Sequence, residues 1–85
     1  MAQPFTQQQI KTRISILVFL KGNAAPIVLY VDKPIELYEE LLSYIKMPTN
    51  VKLLEKETLG PIKKIAFMSN QISAVAMQEE QYVVQ

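Results

Sequence analysis

The side chains that most often carry catalysis or bind metals are scarce in this chain of 85 residues, which contains no histidine and no cysteine. Zinc therefore lacks its usual sulfur and imidazole ligands, and general acid–base chemistry lacks its commonest group. The acidic residues are Asp32 and seven glutamates, which fall in a helix-like segment, a charged hairpin and the tail. Nothing in their spacing brings two carboxylates into one pocket. We predict no catalytic residue, no metal site and no cofactor.

Two short motifs are explained without catalysis. Ser43 and Lys46 match the S-x-x-K pattern of penicillin-binding enzymes, but the accompanying S-D-N and K-T-G elements are missing. The two glycines, Gly22 and Gly60, each stand in a predicted turn, so no glycine-rich phosphate cradle can be built. The sequence argues against an enzyme and against nucleotide binding by these motifs.

Aromatic and basic residues supply one alternative function. Four tyrosines and three phenylalanines could stack on bases from an open sheet, while lysines contact phosphate. The lysines considered for that role are Lys52, Lys56, Lys63 and Lys64. Glutamates interrupt them, no RNP-like motif is present, and the net charge is only +1. Nucleic acid is thus a disfavoured partner, and a small-ligand or single-stranded RNA-binding domain is the alternative prediction.

Length and composition indicate one small globular domain. A chain of this length forms a single hydrophobic core, and its hydrophobic fraction of 49% is ordinary for a globular protein. The longest apolar run, residues 14–20, is too short to cross a bilayer, and no secretory signal precedes the domain. We expect no membrane span and a cytoplasmic location, or its organelle equivalent.

Hydrophobic periodicity predicts five strands and one helix. Alternating residues 12–21 and 27–31 form the first two strands, and residues 34–46 form an amphipathic helix that starts after Asp32. Strands at residues 51–58, 62–69 and 72–77 follow. The prediction is a single small α+β domain of order ββαβββ, an antiparallel sheet of five strands with one helix packed on one face. Residues 1–11 are predicted as a flexible arm, 12–77 as the domain and 78–85 as a tail.

The first strand is apolar on both faces, which indicates a central strand. One helix covers only one face, so we predict that the other face is a protein interface, carried by Leu17, Phe19, Val28 and Tyr30. The predicted function is a non-catalytic interaction module, either self-associating as a homodimer or an accessory subunit of a larger assembly. As alternatives, Phe5 of the arm or Tyr82 of the tail could cover the same face. The methionines are predicted to fill gaps in the core.

Several segments of the chain resemble a family of small uncharacterised proteins from cyanobacteria and algal plastids. The resemblance covers about residues 14–77 and rests on the segments FLK 19–21, ELY 36–38, LLEKE 53–57, KKIA 63–66 and QISAV 71–75. It implies a compact ββαβββ domain, a photosynthetic host, the plastid stroma as an alternative location and a photosynthesis-related assembly. It transfers no site residue.

Overall fold

A computed structural model describes residues 9–84 and has the predicted α+β order, ββαβββ. In chain order the elements are β1 (Gln9–Leu20), β2 (Ile27–Leu29), α1 (Pro34–Lys46), β3 (Leu53–Glu57), β4 (Lys64–Met68) and β5 (Ile72–Val84). A 3-10 turn, Ser69–Gln71, precedes β5. All strand pairs are antiparallel.

The strands form two sheets, not the single five-stranded sheet that the sequence predicted. One sheet has the order β2-β1-β5, and the hairpin of β3 and β4 stands apart as the second. A single bridge, Tyr30 to Leu59, joins them. Because β2 has only three residues before the chain turns towards α1, it offers too short an edge for a longer ladder.

The start of β1 and the end of β5 extend beyond the predicted domain limits. Gln9 pairs with Val84, Lys11 pairs with Tyr82, and the ladder continues to Leu20 opposite Ile72. Residues 9–11, predicted as part of a flexible arm, therefore lie in β1, and the tail residues 78–84 lie in β5. Each of these two segments supplies the backbone hydrogen-bond partners of the other, so neither is recognisable as a strand from its own sequence. The rest of the predicted arm, residues 1–8, lies outside the described residues.

The helix spans the predicted residues, but its cap differs from the prediction. Lys33 occupies the N-cap position without a side-chain hydrogen bond, and Pro34 takes the first helical position, where no backbone donor is needed. Asp32 lies one residue too early to cap and is exposed. Glu36 in the first turn and Lys46 in the last complement the helix dipole.

The core lies on one face of the three-stranded sheet. Ile16 and Val18 of β1 are fully buried there, together with Leu41 of α1 and, from the hairpin, Leu54 and Phe67. The hairpin is also tied to α1 by the ion pair of Lys56 with Glu40, at 2.7 Å. The helix and the hairpin therefore cover the same face of the β2-β1-β5 sheet.

The first half of β1 and the second half of β5 leave the body as a two-stranded ribbon, defined here as residues 9–13 with 80–84. No part of β2 pairs with β1 beyond Ile16–Val18. Ile10 and Val83 lie opposite each other in the ribbon and are both exposed. The ribbon makes the described molecule elongated, with extents of 67 × 24 × 22 Å.

Three methionines are exposed instead of filling the core as predicted: Met47 at 63%, Met68 at 40% and Met77 at 45%. Met47 follows the end of α1, Met68 lies on the outer face of the hairpin, and Met77 lies on β5. The core volume is filled instead by branched aliphatic side chains. Within the described residues, the helix is too short and too polar to cross a membrane.

Replacing Leu41 with alanine tests the packing of the helix on the sheet. Leu41 is 0% exposed, so Leu41→Ala should lower the free energy of unfolding by about 2 to 5 kcal/mol in a urea titration. The matched control is Leu53→Ala, because Leu53 is 57% exposed and should cost less than about 0.5 kcal/mol. Equal losses for the two variants would contradict this packing.

Candidate functional site

The face of the three-stranded sheet that points away from α1 carries an apolar area, which we call the open patch: Leu17, Phe19, Val28, Ala74 and Ala76. Strand register places these residues together, because Leu17 lies opposite both Val28 and Ala76, and Phe19 lies opposite Ala74. The three large side chains are half-buried and do not belong to the core cluster. No helix or strand of residues 9–84 packs over the patch.

The same face becomes polar towards the ribbon. There the carboxylate of Glu80 accepts hydrogen bonds from Arg13 Nε at 3.1 Å, Ser15 Oγ at 3.0 Å and the Tyr30 hydroxyl at 3.1 Å. We call these four residues the Glu80 cluster. Register explains the arrangement, because Arg13 lies directly opposite Glu80 and Ser15 follows two positions along β1. Ser15 is fully buried beneath the cluster.

Aromatic rings hold the cluster in place. The guanidinium carbon of Arg13 lies 4.3 Å from the centre of the Tyr30 ring and 5.4 Å from that of Tyr82. Gly60, with a φ of +81°, brings the hairpin loop against Tyr30, so that a Cβ at this position would lie 3.0 Å from Tyr30 Cδ2. The loop thus fixes Tyr30, Tyr30 orients Arg13, and Arg13 neutralises Glu80.

The pKa of Glu80 is lowered from its ordinary value of 4.5. Partial desolvation alone would raise it, but hydrogen bonds from Ser15, Arg13 and Tyr30 and the positive charge of Arg13 outweigh that effect. Glu80 is therefore ionised and fully partnered at neutral pH. A carboxylate in this state is a poor general base, and the cluster acts as a structural clamp between ribbon and body.

The structure separates the four predicted interface residues into two groups. Leu17, Phe19 and Val28 lie together in the open patch, whereas Tyr30 lies on the same face but belongs to the Glu80 cluster. Tyr82 pairs with Lys11 in the ribbon and does not fold back over the patch. Phe5, the other predicted cover, lies outside the described residues.

The four lysines considered for RNA contact all lie in or beside the hairpin of β3 and β4. Lys56 lies in β3, Lys64 in β4, and Lys52 and Lys63 beside them, on the hairpin that covers the core face. Tyr30 and Tyr82, the tyrosines on the face of the open patch, both lie against the guanidinium of Arg13. Among residues 9–84, no three acidic side chains are grouped closely enough to hold a metal ion.

Sequence reasoning missed the Glu80 cluster. Ser15 and Tyr30 are 65 and 50 residues away from Glu80, and no local pattern links them. The available signal was the pairing of an arginine in β1 with a glutamate in the tail, which becomes visible only when the tail is treated as a strand.

No family model, curated protein or solved structure matches this chain.

The Glu80 cluster predicts an acid-dependent loss of stability. Because the pKa of Glu80 is lower in the folded chain than in the unfolded one, its ionised form stabilises the fold above pH 4.5, and this contribution disappears as the pH falls through the folded value. Glu80→Gln should therefore have a lower urea midpoint than the parent chain at pH 7, and the gap should narrow below pH 4.5. Glu79→Gln, at the exposed neighbouring position, is the control. A gap that is constant with pH contradicts the role of the charge.

Alanine substitutions at the two glycines test the contact between the loop and Tyr30. Gly22 has a φ of +82° with no atom within 4 Å of a built Cβ, so Gly22→Ala should cost only the backbone penalty of about 1 to 2 kcal/mol. Gly60→Ala carries a similar φ penalty and must also displace the Tyr30 ring. Thermal melts should rank Gly60→Ala clearly below Gly22→Ala, and equal melts would contradict the contact.

Proposed function

We propose that this chain is a non-catalytic protein-interaction module that binds an amphipathic α-helix of a partner protein on the open patch. The observation that carries the proposal is the asymmetry of the sheet. Ile16 and Val18 are buried under α1 and the hairpin, whereas Leu17 and Phe19 on the opposite face have no layer over them within residues 9–84. A continuous apolar area bordered by polar residues is typical of a binding surface.

The described elements of the chain do not cover the patch. Tyr82 is held in the ribbon by its pairing with Lys11, and α1 and the hairpin contribute to the core on the opposite face. We therefore expect the cover from another molecule.

The dimensions of the patch favour a helix over a stacked second copy. Three strands are about 14 Å wide, and the apolar stretch of β1 is about 17 Å long, which gives roughly 240 Å². This is well below the roughly 800 Å² per partner of a stable dimer interface. It matches about three turns of a helix 10 to 12 Å in diameter. The opposite face of the same sheet is covered in this way by α1, which has 13 residues.

The sizes of the side chains in the patch also favour a helix. The large side chains of the patch, Leu17, Phe19 and Val28, lie on β1 and β2, whereas its residues on β5, Ala74 and Ala76, are small. The small residues allow a helix to approach closely, and the large side chains of the patch can pack between the side chains of that helix. The charges next to the patch are neutralised within the Glu80 cluster, so the contact is expected to be apolar and only weakly dependent on salt.

The test is an NMR titration with a designed peptide. The probe is a 14-residue helix of zero net charge with leucines along one face, and the control peptide has the same composition in an order that destroys that face. Amide shifts should concentrate at Leu17, Phe19, Ala74 and Ala76. Shifts centred on the exposed hairpin residues Leu53 and Met68, or shifts that the control peptide reproduces, would contradict the proposal.

Phe19→Ser provides the matched variant, because a buried aromatic residue at the centre of an interface commonly dominates its affinity. Binding of the leucine-faced peptide should weaken about tenfold while the thermal melt remains cooperative. Leu59→Ser, at an exposed position of the hairpin loop, should leave binding unchanged. If Phe19→Ser abolishes self-association of the chain instead, the patch holds a second copy and the helix proposal is wrong.

A further inference from the structure

The outer edge of β5 is the longest unpaired edge in the described fold. β5 runs from Ile72 to Val84, is the terminal strand of the β2-β1-β5 sheet, and pairs only with β1. Its 13 residues are about 43 Å long. An edge of this length presents a row of backbone donors and acceptors that can pair with another strand.

Natural proteins protect such edges with proline, lysine, short strands or bulges. β5 contains no proline, lysine or arginine. Its one irregularity, between Phe19 and Leu20 of the paired strand, lies at the first residues of β5, where Ser73 Oγ donates to the Phe19 carbonyl. From Ala74 onwards the only charged side chains are Glu79 and Glu80, and Glu80 is paired with Arg13.

The other free edges of the described fold do carry protection. The unpaired part of β1 contains Lys11 and Arg13, β3 contains Lys56, and β4 starts at Lys64. The contrast is specific to β5, whose only charges are the adjacent Glu79 and Glu80. β2 has only three residues, so β5 combines the longest unpaired edge with the least protection among the described strands, which points to that edge as a pairing surface.

We infer that β5 pairs antiparallel with β5 of a second copy of this chain, about a two-fold axis close to Met77. Two identical strands in antiparallel register satisfy each other's edge groups symmetrically. An axis at Met77 places Glu79 opposite Val75 and Glu80 opposite Ala74, so that no carboxylate faces another. An axis at Glu79 or Glu80 would place like charges opposite each other.

The exposure of Met77 in the single chain favours the same position of the axis. Met77 lies opposite Ile16 on the core-facing side of the sheet, yet it is 45% exposed. At the two-fold axis each Met77 would contact its counterpart and lose that exposure. The product is a continuous six-stranded sheet, in which both helices lie on one face and both open patches lie on the other.

Single-cysteine variants test the pairing directly, because the chain contains no cysteine of its own. Residues at the axis of an antiparallel pair have Cα atoms about 4.5 to 5.5 Å apart, within the range of a disulfide. Under mild oxidation, Met77→Cys should give covalent dimers much faster than Leu59→Cys, an exposed position in the hairpin loop. Ala76→Cys and Gln78→Cys should cross-link more slowly than Met77→Cys, because each lies opposite the other across the axis and its own counterpart is about 8 Å away. Cross-linking in β5 no faster than at Leu59 overturns the inference.

Sedimentation of the whole chain gives a second, independent readout. We expect a dimer that is insensitive to salt, and Met77→Lys should weaken dimerisation about tenfold or more while the cooperative melt is retained. Leu59→Lys and Phe19→Ser should leave the dimer intact, which separates this inference from helix binding on the open patch. A monomer at about 100 μM, or a dimer that Met77→Lys does not weaken, overturns it.

Discussion

The ladder between the first and last strands is the constraint on which the rest of the structure depends. It runs from Gln9 opposite Val84 to Leu20 opposite Ile72, so even its innermost pair closes residues 21–71 into a loop. The entropic cost of that closure grows only slowly with loop length, and twelve paired positions repay it. Once β5 lies beside β1, β1 becomes the central strand, and every later element has to pack on one of its two faces.

Only one of those faces is covered. Residues 16–20 of β1 are all apolar, so both faces of this part of the strand need burial. However, α1 and the hairpin both cover the face of Ile16 and Val18. The hairpin joins this layer because Leu54 and Phe67 point to the core and Lys56 reaches Glu40. With both covering elements used on one face, the fold leaves the apolar residues of the opposite face uncovered, and this is the physical origin of the open patch.

Local patterns were sufficient to predict the elements, and non-local pairing was not. The helix from Pro34 to Lys46 was predicted at both ends, because its apolar spacing and Pro34 are local signals. The pairing of the tail was not predicted, because its partners are mostly polar residues of β1, whose own strand character depends on the tail. The separation of the hairpin into a second sheet depends on how soon β2 ends, and the exposure of Met68 and Met77 depends on which layers cover them. None of these features can be predicted from the residues adjacent to it in the sequence.

β5 contributes to two surfaces, the open patch through its side chains and the edge of the sheet through its backbone. Its side chains at Ala74 and Ala76 form the floor of the open patch, while its backbone edge is free along the whole strand. Small side chains suit both roles, because they allow a helix to approach from the face and a strand to approach from the edge. A lysine in place of either alanine would protect the edge but would place a charge in the apolar floor. The apolar patch therefore accounts for the absence of lysine at Ala74 and Ala76, two positions at which a charge would otherwise protect the edge.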